Sequence, residues 1–413
     1  MPGGAPPAAA RPKRRLPLWL PGLGVTLVMQ TAAAALGQTL AVVAPLITDA
    51  IGLSRESIGY LAGLMPLGNV IFLIGGAPLL SRFGPVRSLQ AGVVLAGLAI
   101  GLAAFAWLPA LVVAAVLLGA AYGPAPPAGS RILAATAPPR HRALIFSIGQ
   151  SGATLGAVVA GLVAPPLALT FGWEAVCLLG LAATLATAFA VQPWRATLDA
   201  ERDPQRPVGP RALLAPGNLA APFVALRLHP LLLPLALLSV AFSGLQGALA
   251  TFVVTWLVSK HGVSLRQAGT IFALMQGSGM AARLVLGWLA DRLGRPSRAL
   301  AAQAFAVAGI GAALGLLPVG SSVALLGIVA AATGFIAASW SGLALAEIAR
   351  VAPPGRISET TAGVTLFGTA GYFVAPLCFA AGVAVAGWTV PLVVMAALPA
   401  IATLFVARRL LRS

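Results

Sequence analysis

Residues 268–290 read AGTIFALMQGSGMAARLVLGWLA and run directly into Asp291-Arg292-Leu293-Gly294-Arg295. The apolar part is long enough to cross ~30 Å of hydrocarbon as a helix, which takes about 20 residues. It holds a single charge, Arg283, at a depth where a charge costs roughly 2.5–3.5 kcal/mol to insert. A cation kept there faces a bundle interior or a water-filled cavity, not lipid. This one stretch sets two expectations: a polytopic helical membrane protein, and an interior that receives an anion.

Composition agrees with the first. Of 413 residues, 59% are hydrophobic and only 8% charged, and the mean hydropathy is +0.96. A soluble fold of this size needs far more charge to cover its surface. No run shows the period of two that a membrane barrel requires. The fold class expected is an all-α membrane protein.

A net charge of +17 raises nucleic acid as a partner, but its distribution argues for topology instead. Of the 26 Lys and Arg, 21 fall in segments that share one side of the membrane: Arg11–Arg15, Arg82/Arg87, Arg140/Arg142, Arg195–Arg227, Arg292–Arg298, Arg350/Arg356 and Arg408–Arg412. Arg55, Lys260 and Arg266 fall on the other side. By the positive-inside rule the richer side is the cytoplasm, so both termini and the central polar stretch lie there, in a multi-pass protein of the inner (cytoplasmic) membrane. Nucleic acid is not an expected partner; anionic membrane lipid is, in a minor role. Cys177 and Cys378 each sit in an apolar span, in different halves, and read as small buried hydrophobes.

About twelve spans are expected, near 18–47, 57–80, 88–108, 110–135, 143–170, 173–192, 230–258, 267–290, 298–318, 320–349, 358–385 and 387–407. The chain therefore divides into a tail 1–17, a six-helix half 18–192, a Pro/Arg/Asp-rich linker 193–229, a second six-helix half 230–407 and a tail 408–413. The halves are related. A shift of 210 aligns Gly52-Leu53-Ser54 with Gly262-Val263-Ser264, Gly59 with Gly269, and Arg82-Phe83-Gly84 with Arg292-Leu293-Gly294. A shift of 215 aligns Gly119 with Gly334, Ala137-Pro138-Pro139 with Ala352-Pro353-Pro354, Gly156 with Gly371, and Gly172-Trp173 with Gly387-Trp388. In transporters built from such repeats, substrate binds at the repeat interface near the midplane.

From about Leu18 to Arg409 the chain resembles the major facilitator superfamily. The most specific element is the loop pattern Gly-x-x-x-Asp-Arg-x-Gly-Arg, met by Gly287, Asp291, Arg292, Gly294 and Arg295. The first half has a degraded copy, Ser81-Arg82-Phe83-Gly84-Pro85-Val86-Arg87, with Ser81 where the acid belongs. The resemblance implies twelve helices in two pseudo-symmetric halves, alternating access, and loops that latch one conformation. Asp291, Arg292, Gly294, Arg295 and Arg82 are then latch residues. Glu347, near the cytoplasmic end of the tenth span, can pair with Arg292, Arg295 or Arg350 and join that gate.

Amides are segregated along the chain. The third, sixth, ninth and twelfth spans carry almost none, whereas Gln30, Gln38, Asn69, Gln150, Gln246 and Gln276 sit in the first, second, fifth, seventh and eighth. For each, an interhelical hydrogen bond competes with substrate contact; as a set they form a neutral hydrogen-bonding lining. The fourth span holds Tyr122-Gly123-Pro124-Ala125-Pro126-Pro127, which cannot stay regular, since proline removes backbone donors. Its repeat counterpart holds Ser339, Trp340 and Ser341. Interrupted segments at matching positions point to a binding site, so Tyr122 and Trp340 are either pocket walls or gap-filling aromatics. Arg131 reads as structural, and Asp49 as a cap on the first span. The small residues Gly152, Gly156 and Gly161 of the fifth span read as close helix packing.

Arg283, Gly287 and Asp291 recur at four-residue steps near one helix face, with Arg283 two turns, ~12 Å, from the latch. The arrangement is similar to that of monocarboxylate, oxalate/formate and nitrate porters, where the arginine binds the substrate anion. Nitrate porters add an arginine in the second helix; here that helix offers Asn69. The competing reading of Arg283 is an ion pair with one of the chain's nine Asp and Glu, none of which falls at mid-depth. A fork without a resident carboxylate is prepared to take one bidentately from a ligand. The expected function is secondary transport of a monocarboxylate-class organic anion, by one chain acting as a monomer, coupled to a proton or a second anion. Efflux of hydrophobic or cationic compounds by proton antiport is the alternative. No catalytic constellation, metal spacing or phosphate loop is present, so neither an enzyme nor a cofactor is expected.

Overall fold

A computed structural model describes residues 17–75, 77–138, 145, 148–149, 151–205, 208, 223–224, 226–293, 296–353 and 357–410; it is helical, with no strand among the described residues. With no water in hydrocarbon to satisfy peptide groups, a helix is the element that pairs its backbone within its own segment. The first half runs α1 (Trp19–Val42), α2 (Ala44–Ile51), α3 (Ile58–Gly75), α4 (Ala77–Phe83), α5 (Pro85–Ala103), α6 (Leu108–Tyr122), α7 (Ala125–Thr136), α8 (Gly152–Phe171) and α9 (Trp173–Ala190). A short α10 (Arg195–Leu198) follows. The second half runs α11 (Leu232–His261), α12 (Leu265–Leu293), α13 (Pro296–Leu316), α14 (Val323–Ala337), α15 (Trp340–Val351), α16 (Ile357–Ala386) and α17 (Thr389–Leu410).

Nine helical runs among the described residues are long and apolar enough to cross a membrane alone. Three more rods, α3 with α4, the charge-bearing α12, and α14 with α15, are consistent with the twelve spans expected. The span expected at 88–108 begins earlier, at Pro85, and stops at Ala103. Proline suits a first helical turn, where its missing N–H costs nothing. Asp49 does not cap α1. It lies in α2 and pairs with Arg55, at 2.9 Å to Nη2 and 3.2 Å to Nε. Cys177 is buried as expected, but Cys378 is exposed.

Within the first half α1 packs on α8 and α3 on α6; within the second, α11 packs on α16 and α13 on α17. The most extensive seams between the halves are α8 with α12 and α3 with α16, and α1 also touches α11. The internal repeat is visible in backbone geometry. A Cβ on Gly119 would strike the carbonyl of Met65, and a Cβ on Gly334 would strike the carbonyl of Met275. Both pairs keep the repeat offsets, so each half closes the same helix crossing with the same missing side chain. The α8–α12 seam is equally tight, with Gly161 and Gly269 lying against each other's backbone. In α8, Gly152 and Gly156 lie against α1 in the same way.

Both long spans with an expected interruption are broken. The first restarts at α7 with prolines in its opening turn. The second breaks at Ala338-Ser339. Side-chain amides donate to backbone carbonyls beside both breaks. Gln30 Nε2 donates to Ala125 O at 3.1 Å. Gln303 Nε2 donates to Ile336 O and to Ser339 Oγ.

Candidate substrate cavity between the two halves

A cavity of about 400 Å³ opens between the halves, lined from α1, α3, α6, α8, α11 and α16. That volume is within the range of small-molecule sites, ~300–1,000 Å³. No residue of the third, sixth, ninth or twelfth rod contributes, which matches the segregation of amides along the sequence. Most of the wall is small or apolar, including Ala33, Ala34, Ala62, Met65 and Leu118. Its polar side chains are Gln38, Asn69, Tyr122, Thr251, Thr369 and Tyr372. No acidic side chain lines it among the described residues.

Three sequence-derived site residues meet there: Gln38, Asn69 and Tyr122. Gln38 and Asn69 make no hydrogen bond to any described residue, and their carbonyl oxygens are buried without a donor. The other amides are engaged or elsewhere. Gln30 serves the α7 break. Gln246 Oε1 accepts from Trp340 Nε1 at 3.2 Å. Trp340 stacks on Phe242 at 5.7 Å and is only 9% exposed, so it fills space in the second half and stays off the cavity wall. Gln276 is half-buried and off the wall. Gln150 lies outside the described residues.

Arg283 bridges the halves. Its Nε donates to Ala338 O at the α14–α15 break, 3.1 Å, and its Nη1 donates to Thr154 Oγ1 of α8, also 3.1 Å. Among the described residues no carboxylate pairs with it, and Nη2 has no partner. Thr154 follows Ala153, which lines the cavity, so Arg283 sits beside the wall without being part of it. The sequence reading missed Tyr372 and Thr154. A signal for Tyr372 was present, since the chain has just three tyrosines and a polar aromatic deep in a span is conspicuous for its scarcity.

At the linker end of the bundle, Glu347 is fully buried and accepts from Ser297 Oγ at 2.9 Å, at the start of α13. It also forms an ion pair with Arg350. Of the three arginines anticipated, Arg350 is therefore the one observed. The side chains of Asp291 and Arg292 lie outside the described residues, as do Gly294 and Arg295 altogether. Arg82 lies in the last turn of α4 with its guanidinium 5.9 Å from the Phe83 ring. Arg131 donates to Leu80 O and Glu201 O, in keeping with a structural role. A residue absent from the sequence reading closes the first-half loop. Asp199, 4% exposed, accepts from the N–H groups of Val86 (2.7 Å) and Arg87 (3.2 Å) at the start of α5. Burial pushes its carboxyl above the ordinary carboxylate range, against the pull of those N–H groups and of Arg195 and Arg202.

Comparisons with known proteins agree with this architecture. The chain is 25% identical over 283 residues to the 4-hydroxybenzoate transporter PcaK of Pseudomonas putida, an alignment covering 60% of this chain and 61% of that one. It is 28% identical over 312 residues to the gallate transporter of the same organism, covering 70% and 69%. In fold it is similar to a bacterial homolog of the human lysosomal transporter Spinster, with TM-score 0.76, 17% identity, and 96% and 98% of the two chains covered. The sequence profile of the Major Facilitator Superfamily matches residues 26–346, and the chain belongs to that family.

Proposed function

We propose that this protein is a secondary transporter of a small organic anion of the monocarboxylate class, working by alternating access between its two halves. One observation carries the reading: Arg283 bridges the halves beside the cavity with no carboxylate to neutralise it among the described residues. A half-buried guanidinium without a counter-ion carries a desolvation cost, and an arriving carboxylate relieves that cost by taking the free Nη2 in a charge-assisted bond. Because Arg283 is tied to α8 on one side and to the α14–α15 break on the other, neutralising it bears on both halves at once. The two relatives that carry 4-hydroxybenzoate and gallate support an organic anion as cargo. The described cavity wall carries no carboxylate to pair with a cationic cargo.

The distribution of Lys and Arg supports an inner-membrane location with both termini cytoplasmic. The Asp291-Arg292-Leu293-Gly294-Arg295 loop, Arg82 and the Glu347–Arg350 pair then act at the cytoplasmic gate. With no acid on the cavity wall, a co-transported proton travels on the substrate's own carboxyl, or a second anion is exchanged.

The test is uptake of aromatic and aliphatic monocarboxylates into proteoliposomes by wild type, Arg283→Lys and Arg283→Gln. Removing a charged hydrogen-bond partner costs ~1.5–3 kcal/mol, roughly 10- to 150-fold. Arg283→Gln should lose at least tenfold in apparent affinity, and Arg283→Lys less. Undiminished transport by a folded Arg283→Gln protein overturns the assignment.

A further inference from the structure

Two glycines of the cavity wall are repeat counterparts. Gly37 of α1 and Gly247 of α11 stand 210 residues apart, the same offset that aligns the outer loops of the two halves, and both line the cavity. Glycine is a poor residue for a helix interior, so a reason for it has to come from the surroundings. At Gly68, Gly119 and Gly334 the reason is close approach, since a main-chain atom of a neighbouring helix occupies the place a Cβ would take. Gly37 and Gly247 differ. A Cβ on Gly37 would come 3.1 Å from Met65 Cε, with no other described atom beyond its own backbone within 4 Å. A Cβ on Gly247 would come 2.8 Å from Tyr372 Cδ1 and 3.4 Å from its Cε1, while the nearest main-chain atom, Tyr372 Cα, is at an ordinary 3.5 Å. What each glycine makes room for is a side chain, and both side chains belong to the cavity wall.

The two neighbours yield differently. Met65 presents the far end of a flexible thioether, which can swing aside. Tyr372 presents the root of a rigid ring, which moves only as a whole by turning about its side-chain torsions. A methyl group at position 247 therefore drives the ring off α11 and into the space it borders.

We propose that Gly247 is a specificity-determining residue of this transporter: by carrying no side chain it lets the Tyr372 ring lie back against α11, and so sets the width of cargo the cavity admits. Gly37 makes the matching space on the first-half wall, but there the neighbour gives way. The inference rests on the cavity being where cargo binds, and not on the role of Arg283 or on any hydrogen bond to the cargo.

The test is uptake into proteoliposomes of three acids of increasing width, propionate, benzoate and 2-naphthoate. Gly247→Ala should lower kcat/KM for benzoate relative to propionate at least about tenfold, since overpacking penalises the wider body. Gly37→Ala should stay within about threefold of wild type. Adding Tyr372→Ala to Gly247→Ala should restore the ratio, a coupling expected only where the two residues act through contact. Tyr372→Ala alone should shift preference the other way, toward 2-naphthoate, which tests the ring even if Gly247→Ala folds poorly. An unchanged ratio in folded Gly247→Ala, a loss that Tyr372→Ala does not restore, or an equal loss in Gly37→Ala overturns the proposal.

A second measurement needs no cargo. With Cys378→Ser removing the exposed thiol and Cys177 buried, a cysteine is placed on the wall by Ala62→Cys. Its reaction with methyl and benzyl methanethiosulfonate is timed. Gly247→Ala should slow the benzyl reagent at least about tenfold and leave the methyl reagent unchanged. Equal slowing of both, or of neither, overturns the width role. If wild type carries none of the three acids while the benzyl reagent is still selectively slowed, the organic-anion reading falls and the width role of Gly247 stands.

Discussion

The two halves repeat one backbone yet divide the polar chemistry between them. The first half brings neutral groups to the cavity, Gln38, Asn69 and Tyr122, and its linker-end loop is closed by Asp199, borrowed from the segment after α9. The second half brings Thr251, Thr369 and Tyr372 to the wall, adds a half-buried charge beside it, Arg283, and closes its linker end with its own buried acid, Glu347, on Ser297 and Arg350. The glycines that set helix spacing match across the repeat; the groups that do chemistry do not. Spacing is fixed by sterics common to both halves, whereas a binding site at the seam needs different groups on its two sides, because a small acid has two different ends.

That comparison can be broken most directly at the shared scaffold. Gly119→Val and Gly334→Val should be about equally damaging, each near or above ~3 kcal/mol, since a side chain at either meets a backbone carbonyl that cannot move aside. Folded yield and melting temperature in detergent would measure this, with Gly24→Ala, where nothing lies within 4 Å, as the harmless control. Unequal damage would mean that the halves are not mechanically equivalent.

The next effect belongs to the first half alone. Asp199→Ala leaves two N–H groups at the start of α5 without their acceptor and should cost about 1–3 kcal/mol. Gly84 has no room for a side chain beside Asp199, and its φ is +92°, so the loop is shaped around this contact. A melting temperature unchanged in Asp199→Ala would show that the linker merely rests on the loop. A smaller loss, about 1 kcal/mol or less, is expected for Glu347→Gln, which keeps an acceptor for Ser297 and gives up an ion pair with a half-exposed arginine.

The smallest effect is a pH dependence. Folding raises the Asp199 carboxyl above its unfolded value, burial being the main cause. The folded state then holds the proton more tightly, so this group's contribution to stability falls as pH rises from the ordinary carboxylate range to the raised value, and is constant above it. Melting curves of wild type minus Asp199→Asn between mildly acidic and neutral pH should show that slope. A difference that grows with rising pH would mean that the backbone N–H groups outweigh burial.

Much of this architecture is legible in the sequence because a bilayer leaves few options. Apolar runs of about twenty residues must be helices, Tyr122-Gly123-Pro124 must interrupt one of them, and an arginine in mid-span must face the interior. The segregation of amides also foretold that the third, sixth, ninth and twelfth rods would stay off the cavity, although the eighth, which carries Gln276, does not line it either. What the sequence left open was which partner each polar group takes. Gln30, Gln38 and Gln246 look alike as lone amides in apolar spans. Only packing shows that Gln30 meets the carbonyl of Ala125 and Gln246 meets Trp340, while Gln38 bonds to none of the described residues. Asp199 was one acid among several in a polar linker until the fold carried it to the start of α5. Hydrophobic length and proline chemistry are local and can be read residue by residue. Hydrogen-bond partnership between residues about a hundred positions apart depends on which helices touch, and the tertiary structure alone decides that.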